Sequence, residues 1–296
     1  MSARLDPAIV PVGCFDGELD LFESQYAVPN GVSYNSYVIL DEKAAVLDTV
    51  DPRKTAEWLA NLDRALAGRA PDYLVIHHME PDHAGSIAAL ADKFPGMTLV
   101  GNAKTFPMLA AFTGNAFEGR TLTVKEGDAL ELGGHKLTFL MAPMVHWPEV
   151  MVSYESQSKT LFSADGFGRF GDTDPDTPWV DEARRYYINI VGKYGVQVQA
   201  LLKKAAGLDI QTVCPLHGPV LSGEALALAL EKYGVWSGYA PEEKGVLVAY
   251  ASIHGNTARA ALELADMLRA EGLRVEAMDL TRRDWAEAVA GAFRYS

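Results

Sequence analysis

Apolar and polar positions along the chain fall into short elements with clear stops. Ser36 to Leu40 and Ala44 to Asp48 are apolar runs joined by Asp41-Glu42-Lys43, a hairpin pattern. Thr55 to Ala67 carries Trp58, Leu59, Leu62 and Leu66 on one helical face, and Gly68 ends it. Tyr73-Leu74-Val75-Ile76 reads as a buried strand, with a helix beginning near Ala84-Gly85-Ser86 and running through Ile87 and Leu90. A strand at Met97 to Val100 and a helix around Lys104 to Phe112 follow. Then come short strands at Thr121 to Val124, Ala129 to Leu132, Lys136 to Met141, Val150 to Tyr154 and Thr160 to Ser163, with Gly133-Gly134 as a turn. Asp181 to Ala206 reads as one or two helices interrupted near Gly192 and Gly195. Ile210 to Cys214 is a strand and Glu224 to Tyr233 a helix.

Runs of strands flanked by helices predict an α/β protein with two sheets sandwiched between helices, an αββα arrangement. Ser237 to Lys244 is polar, with glycine and proline, and marks the expected boundary between a domain over 1–240 and a second piece over 241–296. That piece has a strand at Gly245 to Tyr250, a helix over Ala258 to Ala270, a strand at Arg274 to Leu280 and a helical pattern from Asp284.

Composition narrows the class. With 49% hydrophobic and 22% charged residues in a chain of 296, a substantial core is expected and disorder is not. A net charge of -13 disfavours nucleic acid or anionic lipid as partner, yet does nothing to repel a neutral small molecule. The start, Met1-Ser2-Ala3-Arg4-Leu5-Asp6-Pro7, has no leader pattern and no stretch is long enough to span a bilayer, so the expected location is cytoplasmic. Cys14 and Cys214 lie far apart and outside any Cys-x-x-Cys spacing, which predicts buried thiols and neither a disulfide scaffold nor a rubredoxin-type iron site.

The chemistry concentrates in His77-His78-Met79-Glu80-Pro81-Asp82-His83, five potential metal-binding side chains within seven residues directly after an apolar strand. Imidazole nitrogens with carboxylate oxygens suit iron, manganese or zinc, and the lack of cysteine among them argues against a structural zinc knot. A tight turn here can serve two adjacent metals. A polar surface turn is the plainer reading, but crowded ionisable groups would repel and desolvate one another unless a cation joined them. The same strand-to-loop design recurs at His146, Asp165 and His217. A lone histidine in such a place is more often structural than ligating, so their weight comes from the group.

The spacing resembles the metallo-β-lactamase superfamily, whose hydrolases carry His-x-His-x-Asp-His at this place. Here Glu80 stands for the second histidine, the departure that marks the flavodiiron proteins, and Gly31-Val32-Ser33-Tyr34-Asn35-Ser36-Tyr37 resembles their opening. The resemblance implies that His78, Glu80 and His146 hold the iron nearer the flavin, that Asp82, His83 and His217 hold the other, and that Asp165 bridges the two. An anionic oxygen ligand in place of an imidazole suits the higher iron oxidation state that a redox cycle visits. His77 is expected behind the ligands, His135 solvated in a hairpin turn, and Trp147 packed. Tyr186-Tyr187 resembles a family segment that places a phenol near the metals, and Glu23-Ser24-Gln25 stands where some members have a histidine.

Ala251 to Thr257 links a strand to a helix and offers Ser252, His254, Gly255, Asn256 and Thr257 as a phosphate cradle. It resembles the flavodoxin FMN site. Only two strands of such a sheet are encoded, so the chain is expected to stop inside its flavin domain, with a phosphate site and no ring pocket. The implied function is reduction of O2 to water or NO to N2O at two iron ions. Electrons would pass through FMN from a rubredoxin-like or other external donor, within a head-to-tail homodimer. The alternatives are a dinuclear zinc hydrolase of the same fold, acting on a thioester or lactam through a metal-bound hydroxide, and a non-catalytic electron-transfer or sensor protein.

Overall fold

Alternate residues of each central strand face opposite layers, and both layers are buried. In the strand Tyr37–Leu40, Tyr37 and Ile39 join a cluster with Leu47, Val75, Val100, Phe139, Met151 and Phe162 between two sheets, while Val38 faces helices. The partner sheet does the same, with Leu140, Val152, Leu161 and Val213 turned outward onto its own helices. Burial on both faces is why these strands read as continuous apolar runs. The computed structural model describes residues 5–295; residues 1–4 and 296 lie outside the described residues, and with them most of the start read above for a leader.

One six-stranded sheet runs in the order Ile9–Pro11, Tyr37–Leu40, Ala44–Leu47, Tyr73–Val75, Thr98–Gly101, Thr121–Thr123. Its first two pairings are antiparallel and the rest parallel. The other runs Ala129–Glu131, Lys136–Met141, Met151–Glu155, Thr160–Phe162, Thr212–Cys214, Leu221–Ser222, antiparallel except between Thr160–Phe162 and Thr212–Cys214. The αββα expectation is therefore realised, with Thr121–Thr123 assigned to the first sheet rather than to the block that follows it. The helix Thr55–Leu66 buries Trp58, Leu62 and Leu66, each leucine worth roughly 1.5–3 kcal/mol. It ends where Ala67 and Gly68 turn left-handed.

Three local differences from the sequence reading have physical causes. The metal-loop helix starts earlier than expected: Pro81 occupies the first turn of a short helix Pro81–Ala84, where its fixed φ is preset, and a separate helix covers Ile87–Lys93. The strands Ile9–Pro11, Cys14–Asp16, Leu21–Phe22, Tyr26–Ala27 and Val32–Tyr34 were too short to show a period; Leu21–Phe22 and Tyr26–Ala27 pair with each other as a tight hairpin, and the others pair with more distant segments. His135 is half-buried and paired rather than free in solvent. Its Nδ1 lies 2.7 Å from Asp41 Oδ2, tying the turn of the second sheet to the turn of the first.

The segment from Val180 breaks into a helix Val180–Tyr186, a wide π-turn Tyr187–Val191, a tight turn Gly192–Tyr194 and a helix Gly195–Ala205. Beyond residue 240 the strands Val246–Tyr250 and Val275–Asp279 pair in parallel, with helices Asn256–Ala270 and Trp285–Arg294. Arg185 holds this unit against the Val180–Tyr186 helix through Asp284 at 2.5 Å, and Arg184 pairs with Glu242.

Candidate metal centre

The loops that carry the seven candidate ligands leave their strands at one rim of the sandwich. His78, Glu80, Asp82 and His83 follow Tyr73–Val75 in the first sheet. His146, Asp165 and His217 lie in loops that leave Lys136–Met141, Thr160–Phe162 and Thr212–Cys214 in the second. Loops at strand ends are where such sites collect, because the strands fix where each side chain starts. Donor atoms of His78, Glu80, His146 and Asp165 lie within 4.8 Å of one another, and so do those of Asp82, His83 and His217. All seven are buried.

Asp165 connects the two groups. Its Oδ2 lies 3.0 Å from His146 Nε2 and its Oδ1 lies 3.2 Å from His83 Nε2. Within the groups, His78 Nε2 faces His146 Nε2 at 3.3 Å, and His83 Nε2 faces His217 Nε2 at 3.0 Å. The turn after His217 needs a left-handed residue (φ 79), and a Cβ on Gly218 would stand 2.7 Å from Arg169 Cγ.

The electrostatics ask for positive charge in the middle. Burial opposes a proton on His78, His83 and His146. Asp165 with Glu149 and Glu80 outweighs it at His78, Asp82 with Asp165 at His83, and Asp165 with Glu80 at His146. His78 is pushed well above the ordinary histidine range and His146 up to about 9. Burial likewise works against ionised Asp165, and the surrounding histidines, His78 foremost, hold it well below the usual carboxylate range. Yet imidazolium rings at His78 and His146 cannot comfortably face each other nitrogen to nitrogen at 3.3 Å. Both oxygens of Asp82 and Oδ1 of Asp165 also lack a hydrogen-bond partner among the described residues. A cation between the facing nitrogens answers both demands, and nitrogen with oxygen donors and no sulfur fits iron, manganese or zinc.

The histidines are aimed from behind. His78 Nδ1 donates to Glu149 Oε1 at 2.9 Å, and His217 Nδ1 donates to the Ser33 carbonyl at 2.6 Å, leaving each Nε2 turned inward. The sequence reading missed Glu149. Its only signal was a carboxylate three residues after His146, which has no meaning until the loop closes on His78.

Tyr186 brings a phenol to the centre, fully buried and with its hydroxyl unpartnered among the described residues, its ring 5.5 Å from that of His217. Tyr187 packs elsewhere, against Tyr233 and Trp236. Trp147 stands edge-on to His78 at 5.4 Å. A cleft of about 400 Å³, bordered by Leu21, Glu23, Arg53, Glu80 and Asp82, opens beside both groups. Glu23 is pushed up to about 7, by desolvation and then by the neighbouring Glu80 carboxylate. At the far end of the chain, Ser252, His254, Gly255, Asn256 and Thr257 form one loop at the start of the helix Asn256–Ala270. Ser252 Oγ accepts from the Gly255 N–H at 3.1 Å, and Gly255 takes φ 85.

Residues 32–218 match the family model described as ODP family β-lactamase. A flavodiiron protein from Giardia intestinalis is similar at 30% identity and TM-score 0.92, over 98% of this chain and 72% of that one. Rubredoxin oxygen:oxidoreductase from the anaerobe Desulfovibrio gigas is similar at 28% identity and TM-score 0.91, over 100% and 76%. The anaerobic nitric oxide reductase flavorubredoxin of Aliivibrio salmonicida is 31% identical over 96% of this chain. The chain spans 59% of the length of that flavorubredoxin and 48% of that of a putative diflavin flavoprotein of Synechocystis.

Proposed function

The chain belongs to the flavodiiron proteins of the ODP β-lactamase family, and from that we propose that it reduces O2 to water, NO to N2O, or both, at a pair of irons. His78, Glu80 and His146 would hold one iron, Asp82, His83 and His217 the other, with Asp165 between them. The observation that carries this reading is Glu80, an oxygen donor beside His78 and His146 where the hydrolases place a third imidazole. The relatives are named as reductases and flavoproteins, which weighs against the dinuclear zinc hydrolase.

When bound, the two ferrous ions would supply electrons to the diatomic substrate, and FMN would restore them. The protein's own part is positional. Glu149 and the Ser33 carbonyl fix the tautomers of His78 and His217, so that both present Nε2 to the centre. Phe22 stands edge-on to His217 at 5.4 Å and helps wall the centre from bulk water. The cleft beside Glu80 and Asp82 has room for a small neutral molecule. Tyr186 keeps a hydroxyl unspent beside His217, available to donate a hydrogen bond to a group at the centre.

Residues 1–240 are read as the diiron domain and 241–296 as the start of a flavodoxin-like FMN domain. Its exposed loop at Ser252 to Thr257 meets the needs of a phosphate through N–H groups and hydroxyls at a helix start. A rubredoxin-like or other external donor, a head-to-tail homodimer and a cytoplasmic location complete the proposal; no helix among the described residues is long and apolar enough to cross a membrane. The test is iron and FMN content of the purified chain, then anaerobic reduction and titration with O2 and with NO. Iron with rapid reoxidation by either gas supports the reading; zinc in both positions of freshly isolated protein, with ester cleavage, overturns it.

A further inference from the structure

Behind the metal centre lies a buried chain of side chains that the proposed reaction does not use. Asp48 closes the strand Ala44–Leu47 in a left-handed conformation, φ 54, and its carboxylate reaches over to the metal loop. Oδ1 accepts the backbone N–H of His77 at 2.7 Å and that of His78 at 3.3 Å. Oδ2 takes His77 Nδ1 at 2.6 Å, and on the other side of the ring Nε2 lies 2.8 Å from Ser153 Oγ. Ser153 belongs to Met151–Glu155, in the opposite sheet.

Aspartate, histidine and serine in this order have the connectivity of a hydrolase triad. A nucleophile must meet its substrate, however, and Ser153 is 0% exposed while His77 and Asp48 are each 1% exposed. The Phe162 ring stacks on His77 as well, 6.5 Å away and tilted by only 17°. No substrate reaches the hydroxyl, so these groups must do something other than acylate.

What the chain does is join the sheets. His78, Glu80, Asp82 and His83 come from the first, and His146, Asp165 and His217 from the second. Their spacing therefore depends on how the sheets sit together. The packing between the sheets is apolar and without direction. The Asp48 bonds hold the loop to the first sheet. The Ser153 bond and one from Met151 N–H to the His77 carbonyl, at 3.1 Å, hold it to the second. His78, the next residue, is then delivered to Glu149, which lies just ahead of that same strand.

We infer that Asp48, His77 and Ser153 form a cross-sheet positioning relay that presets the His78, Glu80 and His146 group for its metal. The inference rests on the reading of the cluster as a two-metal site. The relay acts through the backbone of His77 and His78, so its influence falls first on the group containing His78. The group of Asp82, His83 and His217 is held by the Pro81–Ala84 helix, by Thr49, whose N–H and hydroxyl both donate to the His83 carbonyl, and by the Ser33 carbonyl, none of which involves Ser153.

The test uses the full chain freed of metal by chelation and titrated with cobalt(II), read by visible absorption and by calorimetry. Wild type should take up two equivalents. Ser153→Ala should bind one of them about tenfold or more weakly, with its absorption bands shifted, and leave the other unchanged. In a His146→Ala background Ser153→Ala should add little, and in a His217→Ala background it should keep its effect. Wild-type affinities and bands in Ser153→Ala, or equal weakening of both equivalents, would overturn the relay while leaving the site intact. A wild type that takes up no cobalt would overturn the two-metal reading and the relay with it.

Discussion

Glu149 Oε1 accepts two hydrogen bonds from neighbouring residues of the metal loop, His78 Nδ1–H at 2.9 Å and Met79 N–H at 2.8 Å. One buried carboxylate thus fixes both the ring and the backbone at the first candidate ligand. Glu149→Ala leaves two buried donors without a partner, a cost of about 1–3 kcal/mol each. The expected result is a lower melting temperature together with a loss of metal affinity of about 10–100-fold, measured by competition with a chelator. Glu149→Gln keeps an acceptor oxygen and should lie between that variant and wild type.

Asp165 stands between the groups, so its loss should be felt by both. Asp165→Ala removes the oxygens facing His146 and His83 and should lower metal content from two per chain to one or none. Far-UV circular dichroism should stay that of wild type, because the side chain holds no strand. Two tightly bound metals in the variant would disprove the bridging role.

Away from the centre, Asp41 offers a pH dependence that any bound metal leaves alone. Some desolvation works against its charge, but hydrogen bonds from the His135 ring and from the backbone N–H groups of His135, Glu42 and Gly134 hold its carboxyl down to about 2, against an ordinary 3.8. The folded value lies below the unfolded one, so the stabilisation is complete above about pH 4 and is lost as the pH falls toward about 2. Asp41→Asn should cost about 1 kcal/mol or less at neutral pH, since the turn is open to solvent screening. Urea midpoints of the two proteins should converge as the solution is acidified; a gap that persists at the lowest pH would count against the assignment.

The C-terminal unit is docked through charge. Arg185 is 6% exposed and Asp284 13%, and removing one partner of a pair this buried costs about 3 kcal/mol. In Arg185→Ala, amide exchange over Val246–Tyr250 and Trp285–Arg294 should quicken by about 100-fold while Tyr37–Leu40 keeps its protection. Equal exchange throughout in variant and wild type would show that apolar contacts such as Tyr26 against Trp285 suffice for docking.

How much of this was legible beforehand follows from the range of the interactions. The doubly buried strands, the helix carrying Trp58 and Leu62, and the four donors from His78 to His83 are written locally, as runs, periods and short spacings, whereas His146, Asp165 and His217 were joined to them only by the family resemblance. A run of apolar residues must be buried whatever surrounds it, and a ligand crowded against another ligand announces a cation. The edge strands Ile9–Pro11 and Val32–Tyr34, the pairing of His135 with Asp41, the hold of Glu149 on His78 and the bond from His77 to Ser153 exist only across long separations, 94, 71 and 76 residues for the last three. A carboxylate or hydroxyl of this kind has no local signature. Its partners are chosen only when the two sheets close on each other and bring donors from distant parts of the chain within reach.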